Sequence, residues 1–175
     1  MFLYNIQTVL SIKFVAMEIL LLEDKRPKWA LSYIKGYQYV EHDGLMFSYA
    51  ILKKDLEPNL PGFLGFYEGF LFISEDVPYQ FRAPQLLHEI WEFTRYAKIK
   101  GSCAKATKQE LEYAKNNMKQ YLYLSYLRYR IVFFKRLIKY YKRQNESFDT
   151  SEFSCSLKVL RDEWQKVTPS KNRQK

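Results

Sequence analysis

The alternation of apolar and polar residues predicts β-structure in the first half of the chain. Residues 37–52, YQYVEHDGLMFSYAIL, are rich in aromatic and β-branched residues and have Asp43 and Gly44 near their centre. Because Asp-Gly favours a tight two-residue turn, this segment predicts a β-hairpin, with His42 beside the turn rather than in a functional site. Residues 69–74, GFLFIS, predict a further short strand.

The pattern changes to helical periodicity in the second half. We expect one helix whose main part begins near Pro84 and which ends before Gly101. A second, much longer helix is expected to open at the capping box TKQE, residues 107–110, and a third to end near Val167. Strands followed by helices predict an α+β fold, here a small antiparallel sheet with a hairpin and then three helices.

The length of 175 residues favours a single domain. We expect it to span residues 1–168, with residues 1–16 peripheral if Met17 is the natural start. The polar residues 169–175 are expected to form a disordered tail. The sequence indicates no particular oligomeric state.

Composition and charge exclude several classes of protein. With 47% hydrophobic and 27% charged residues, the chain has the composition of a globular protein. The apolar residues 1–22 include Lys13 and Glu18, so they fit neither a signal peptide nor a membrane-spanning helix. The two cysteines, Cys103 and Cys155, form no disulfide framework, and Cys103 is expected to be a packed small residue. These features predict a cytoplasmic protein without a membrane span.

The stretch LLHEIWEF, residues 86–93, carries the candidate chemistry. The face expected to be buried is apolar and consists of Leu86, Ile90, Phe93 and Ala97. His88, Glu92 and Arg95 share the opposite face, within roughly 60° of one another. In one interpretation, His88 and Glu92 are metal ligands with Glu89 as general base. In the other, this is a solvated face with a Glu92 to Arg95 ion pair and a contact between His88 and Glu92.

The stretch also resembles part of a known enzyme family, the zincin metallopeptidases. Their signature, His-Glu-x-x-His, lies on a helix that follows a short edge strand. Here residues 69–74 offer the strand and APQLLHEIWEFTRYA, residues 83–97, the helix. In the gluzincin branch a third ligand, a Glu, comes from the next helix with an Ala nearby, and KQELEYAK, residues 108–115, is similar to that setting.

The resemblance implies a metal-dependent hydrolase of peptides or proteins, or an inactive relative that keeps the scaffold. It assigns His88 as first ligand, Glu89 as general base, Glu92 in place of the second histidine, and Glu112 or Glu110 as third ligand. Glu112 is the better candidate, because Glu110 is expected to pair with Thr107 in the capping box. The implied ion is zinc, although a second anionic ligand suits Mn or Fe at least as well.

A second candidate surface lies on the expected long helix. Residues 113–145 hold nine Lys or Arg and no Asp or Glu. The exposed strip of this helix is expected to contain Arg128, Lys135, Arg136, Lys139, Lys142 and Arg143. Such a strip within residues 113–143 fits a non-enzymatic protein that binds nucleic acid or an acidic protein. It also fits the solvated back of a core helix, since two apolar stripes occupy most of the tyrosines.

Arg130 departs from that strip because it projects between the two apolar stripes. A buried arginine needs a partner for its charge, so we expect Arg130 to pair with a carboxylate of the preceding helix, Glu92 or Glu112. In that case the polar residues form a buried ionic network rather than a metal site.

Overall fold

The computed structural model describes residues 27–67 and 69–168 of the chain. The expectations about residues 1–16, Met17 and residues 169–175 lie outside these ranges. The described elements, in chain order, are α1 (Lys28–Leu31), β1 (Ile34–His42), β2 (Leu45–Leu52), a 3-10 turn (Lys54–Leu56), β3 (Leu64–Tyr67), β4 (Phe70–Ser74), α2 (Tyr79–Thr94), α3 (Ser102–Asn117), α4 (Gln120–Gln144) and α5 (Ser151–Val167). The predicted α+β class is confirmed.

The sheet is mixed rather than purely antiparallel. Its strand order is β1-β2-β4-β3, with β4 parallel to β2 and antiparallel to β3. The prediction missed β3, and it placed residues 69–74 at an edge. In the structure β4 lies between two strands, and Phe70, Leu71, Ile73 and Ser74 are all buried. A strand covered on both faces has no polar alternation, which is why its sequence is almost continuously apolar.

The hairpin between β1 and β2 forms where the sequence predicts it. Asp43 and Gly44 have φ values of 52° and 73°. A two-residue type I′ turn requires positive φ at both positions, and this explains the Asp-Gly pair. His42 ends β1, and its Nε2 accepts a hydrogen bond of 3.0 Å from the indole Nε1 of Trp91 in α2. This hydrogen bond connects the hairpin to α2, the helix that contains His88 and Glu92.

The helices differ from the prediction in their bounds and number. Helix α2 begins at Tyr79, ahead of Pro84, and ends at Thr94. The expected long helix is two helices, because Met118 and Lys119 are extended and separate α3 from α4. Asn117 contributes to the break, since its side chain donates to the carbonyl of Tyr113, 2.8 Å away, and short polar side chains compete with helical hydrogen bonds. Four helices therefore follow the sheet within the described ranges.

The capping box predicted at residues 107–110 does not form. Helix α3 begins at Ser102, so Thr107 lies in its interior and donates to the carbonyl of Cys103 at 2.8 Å. Glu110 is therefore free of the capping role. It faces inward, together with Cys103, Ala106, Leu111 and Ala114.

One hydrophobic core joins the sheet to the helices. Helix α2 packs between the sheet and α3, and α5 packs on both α3 and α4. Helix α4 reaches α2 through the ring of Tyr126, whose centroid is 5.2 Å from that of Phe81. In the described part of the chain, no helix is both long and apolar enough to cross a lipid bilayer.

Candidate functional site

Two polar residues of α2, Gln85 and His88, point into the protein and not into solvent. His88 is 2% exposed and Gln85 is fully buried. Of the face predicted to be buried, Leu86 and Ile90 are buried, but Phe93 is exposed and Ala97 lies beyond the helix end. The prediction took one face as buried, whereas α2 is covered on two sides, by the sheet and by α3.

The His88 imidazole contacts three groups. Its Nε2 lies 3.1 Å from Oε2 of Glu92 and 3.6 Å from Sγ of Cys103. Its Nδ1 lies 2.8 Å from Oε2 of Glu110, at ion-pair distance but without the alignment of a hydrogen bond. Burial disfavours the charged imidazole, but the contacts with Cys103, Glu110 and Glu92 outweigh it and hold the pKa of His88 well above its usual value.

Arg130 is buried and paired with Glu110, not with Glu92 or Glu112 as predicted. Its Nε donates to Oε1 of Glu110 at 2.6 Å and its second terminal nitrogen to Oε2 at 2.7 Å. The hydroxyl of Tyr126 donates to Oε1 of the same carboxylate at 2.6 Å. The prediction failed because it assigned Glu110 to a capping box. Arg130 is buried and paired with a carboxylate, as expected, but both predicted partners were wrong.

The electrostatics of this pair follow from its surroundings. Burial opposes the charge of Glu110, but Arg130 and His88 overcome it and lower the pKa of Glu110 to about 2. Burial also opposes the charge of Arg130, and Glu110 and the neighbouring tyrosines more than compensate, so the pKa of Arg130 is raised. Both groups are therefore charged at neutral pH. The guanidinium also lies over the rings of Phe133 and Phe134, 5.3 and 4.9 Å from their centroids.

Cys103 is the residue that sequence reasoning missed. It is 4% exposed, and its Sγ accepts a hydrogen bond of 3.1 Å from the hydroxyl of Ser156 in α5. The start of α3 is fixed to α5 because the backbone N–H of Gly101 donates to Oε1 of Glu152 at 2.9 Å. The available signal was periodicity, since Cys103, Thr107 and Glu110 follow one another at helical spacing on one face of α3.

Glu92 connects the buried residues to the surface. Its side chain is 22% exposed, and its Oε1 accepts a hydrogen bond of 3.1 Å from Ser102. Burial opposes its charge, but the hydrogen bond and charge of His88 lower the pKa of Glu92. The expected ion pair with Arg95 does not form, because Arg95 donates to Gln109 at 3.1 Å. The predicted contact between His88 and Glu92 does form.

His88, Glu92 and Cys103 together form a group that can hold a metal ion. One ligand atom from each lies within 4.8 Å of the others. In a tetrahedral zinc site, metal–ligand distances of about 2.0 to 2.3 Å place neighbouring ligand atoms about 3.3 to 3.8 Å apart. The distances from Nε2 of His88, 3.1 Å to Glu92 and 3.6 Å to Cys103, are close to this range. The spacing of these three ligand atoms therefore fits a divalent metal ion of the kind that the resemblance implies.

The remaining predicted residues are placed differently. Glu112 is exposed and lines a groove with Lys108 and Lys115, so it does not join His88. Glu89 is partly exposed and makes no hydrogen bond or ion pair with the residues that the structure describes. Burial is the main cause that raises the pKa of Glu89 to about 7, and the nearby carboxylate of Glu92 adds to the effect.

The basic strip is exposed, as the sequence predicts. Each of its members lies on the solvent side of α4: Arg128, Lys135, Arg136, Lys139, Lys142 and Arg143. Most tyrosines of the helix face the other way, and Tyr123 and Tyr126 are buried.

Comparison of the chain with protein-family models, with curated proteins and with solved structures finds no match.

Proposed function

We propose that this protein binds a divalent metal ion, zinc, through His88, Glu92 and Cys103. The observation that carries the proposal is the grouping of one nitrogen, one oxygen and one sulfur ligand atom within 4.8 Å. The zincin-like resemblance extends the proposal to peptide hydrolysis by the bound ion, or to an inactive relative that keeps the ion. Binding rests on the geometry, whereas hydrolysis rests on the resemblance.

Glu110 supports the site from outside the ligand set. Both of its carboxylate oxygens accept hydrogen bonds from Arg130, and one also accepts from Tyr126. Those partners leave Glu110 to face Nδ1 of His88, so that Nε2 is directed to the ion. A carboxylate behind a ligating imidazole is the usual way in which proteins fix its orientation. Glu110 is therefore a positioning residue in this proposal, and Cys103 takes the place expected for Glu112.

The ligand types favour zinc over the harder ions that the sequence left open. A thiolate is a soft ligand that suits zinc, while Mn and Mg prefer oxygen ligands. One thiolate and one carboxylate also balance the charge of a divalent ion when His88 binds as the neutral imidazole.

For hydrolysis, the chain offers Glu89 as the group that takes up and returns a proton. Glu89 follows the first ligand directly and is held by no ion pair in the described residues, so its carboxylate is available. Ser102 holds Glu92 in place through its hydrogen bond to Oε1. A zinc ion held by His88, Glu92 and Cys103 would supply Lewis acidity toward a substrate carbonyl.

One structural feature favours the second form of the proposal, in which the protein keeps the ion but does not cleave peptides. An extended peptide binds most readily along an exposed sheet edge, where it adds a strand. The strand before α2 is β4, and both of its edges are already paired, with β2 and β3. A peptide can therefore not add to the strand that leads into the site.

Metal content tests the binding proposal. We expect protein purified without chelator to contain about one equivalent of zinc, and His88→Ala to lose it, because three ligands bind far more tightly than two. His42→Ala, which changes the chain's other histidine, is the matched control and should keep the ion. Absence of zinc from the unaltered protein, or equal zinc in both variants, would contradict the proposal.

Peptide turnover separates the two forms of the proposal. If the zinc-loaded protein cleaves a mixed peptide library, Glu89→Gln should abolish cleavage while metal content stays unchanged. Zinc binding without cleavage by the unaltered protein identifies the inactive relative.

A further inference from the structure

The solvent side of α4 carries six cationic side chains, which we name the basic face: Arg128, Lys135, Arg136, Lys139, Lys142 and Arg143. At 100° per residue they lie within about 120° of the helix circumference, and at 1.5 Å per residue they extend over about 22 Å. They therefore form one continuous positive surface.

The charges of the basic face are not compensated by the described residues. None of its members forms an ion pair or hydrogen bond there, whereas Lys35 pairs with Glu75 and Lys115 lies 3.6 Å from Glu163. Residues 113–145 contain no Asp or Glu, although the chain has 19 acidic residues. The six charges of the basic face equal two thirds of the chain's net charge of +9.

The exposure of the tyrosine rings of α4 indicates whether a single-stranded or a double-stranded nucleic acid fits the basic face better. Single strands are held largely by bases that stack on exposed rings. Here Tyr123 and Tyr126 are buried, and the hydroxyl of Tyr140 donates to Glu57 at 2.9 Å. Tyr121, which is 68% exposed, is the one tyrosine of α4 with a mostly exposed ring, and it lies about 10 Å along the helix from Arg128. The basic face therefore has six charges and one exposed tyrosine ring near its end. It suits a ligand recognised through phosphates alone, and duplex DNA has the highest density of these, one charge for about each 1.7 Å of axis.

The shape of the surface favours DNA over duplex RNA. A straight helix presents a convex ridge, and the major groove of B-DNA, about 12 Å wide, admits such a ridge. The major groove of A-form RNA is too deep and narrow for this approach. Arginine adds planar donors that match phosphate oxygens.

We infer that the basic face of α4 binds the phosphate backbone of double-stranded DNA without reading its sequence. The site proposed for the metal lies on the opposite side of α4, where Arg130 and Tyr126 face Glu110. The two proposals use different residues, so either can fail without the other.

Fluorescence anisotropy with a labelled 20-base-pair duplex of arbitrary sequence tests this inference on the full chain. For six phosphate contacts, the logarithm of the binding constant should fall against the logarithm of salt concentration with a slope of about −5. The triple variant Lys135→Glu, Lys139→Glu, Lys142→Glu removes three contacts, so its slope should fall to about −3 and its affinity at low salt by about 100-fold or more.

The matched control is the triple variant Lys98→Glu, Lys105→Glu, Lys158→Glu. These three lysines are exposed outside α4, in the turn before α3, in α3 and in α5, and the change in net charge is the same. We expect the control to lose less than about tenfold, because only long-range attraction changes. A variant with glutamine at positions 135, 139 and 142 should also lose affinity and slope, without introducing repulsion.

Three results would overturn the inference. The first is an equal loss of affinity in the control, which would assign binding to net charge. The second is a salt slope near zero. The third is tighter binding of single-stranded DNA, duplex RNA or poly-glutamate than of duplex DNA under the same conditions, since each would replace the proposed ligand by another.

Discussion

At the scale of single residues, the buried site contains positive and negative side chains whose charges balance one another. Each of these residues is therefore needed to keep the others paired. Arg130 and the imidazolium of His88 are positive, and Glu110 and Glu92 are negative. Removal of one partner leaves an unpaired charge in the interior, which is far more costly than loss of an exposed pair.

Glu110→Gln should therefore destabilise the metal-free protein by about 3 to 5 kcal/mol. The matched control Glu112→Gln changes an exposed residue on the same helix and should remain within about 0.5 kcal/mol. Urea unfolding in the presence of EDTA measures both. Adding Arg130→Met to Glu110→Gln should recover part of the loss, because the unpaired charge is removed. Equal stability of the two single variants would contradict the proposed ion pair.

The sequence identified His88 and Glu92 but not Cys103, and the reason is distance along the chain. His88 and Glu92 are four residues apart on one helix, so helical geometry alone brings them together. Cys103 is 15 residues from His88 and 53 from Ser156, and only the packing of α2, α3 and α5 makes them neighbours. The periodicity of α3 could place Cys103 on the inner face of that helix, but it could not identify His88 and Ser156 as its neighbours.

At the level of elements, the local sequence was enough to predict the hairpin but not the interruption between α3 and α4. Asp43 and Gly44 specify their turn because few residues tolerate its φ values. Met118 and Lys119 carry no such signal, so the interruption between α3 and α4 was not predictable from them. The strand β3 was missed for a related reason, since it is only four residues long and follows a loop rich in proline and glycine.

The loop before β3 makes a testable contact with α4. Gly62 has a φ of 79°, and a Cβ on it would collide with the hydroxyl of Tyr129. Gly62→Ala should cost about 2 to 4 kcal/mol, from the positive φ and the overlap together. Gly44→Ala is the matched control, with a φ of 73° and open space around it, and should cost about 1 kcal/mol.

A second substitution separates the two causes. In a Tyr129→Phe background the hydroxyl is absent, and the nearest remaining ring atom is 3.4 Å from the added Cβ. Gly62→Ala should then cost little more than Gly44→Ala, as measured by thermal unfolding. If the stability difference between Gly62→Ala and Gly44→Ala stays the same in the Tyr129→Phe background, the Tyr129 hydroxyl is not the cause of the extra cost.

In the whole molecule, the two sides of α4 differ in their contacts. The inner side holds Arg130 and Tyr126 against Glu110, which faces Nδ1 of His88, while the outer side carries the basic face. The α+β class was predictable because strands precede helices in the sequence. The position of β4 inside the sheet was not, because pairing partners depend on the folded topology.

A ligand that binds only the folded state stabilises the whole molecule by mass action. Zinc at about 100 times its dissociation constant should therefore stabilise the protein by about 2.7 kcal/mol, which thermal unfolding reports as a higher Tm. His88→Ala should show no zinc-dependent shift, and His42→Ala should retain it. A shift of equal size in both variants would assign the effect to another site.

The cobalt spectrum tests the central claim, joint metal binding by His88, Glu92 and Cys103, most directly. Cobalt replaces zinc in such sites and gives an intense thiolate-to-metal charge-transfer band only when a cysteine sulfur is a ligand. We predict this band in the cobalt-loaded protein and in Cys155→Ala, which removes the exposed cysteine, and its loss in Cys103→Ala. A cobalt-loaded protein without the band, or an undiminished band in Cys103→Ala, would contradict the account.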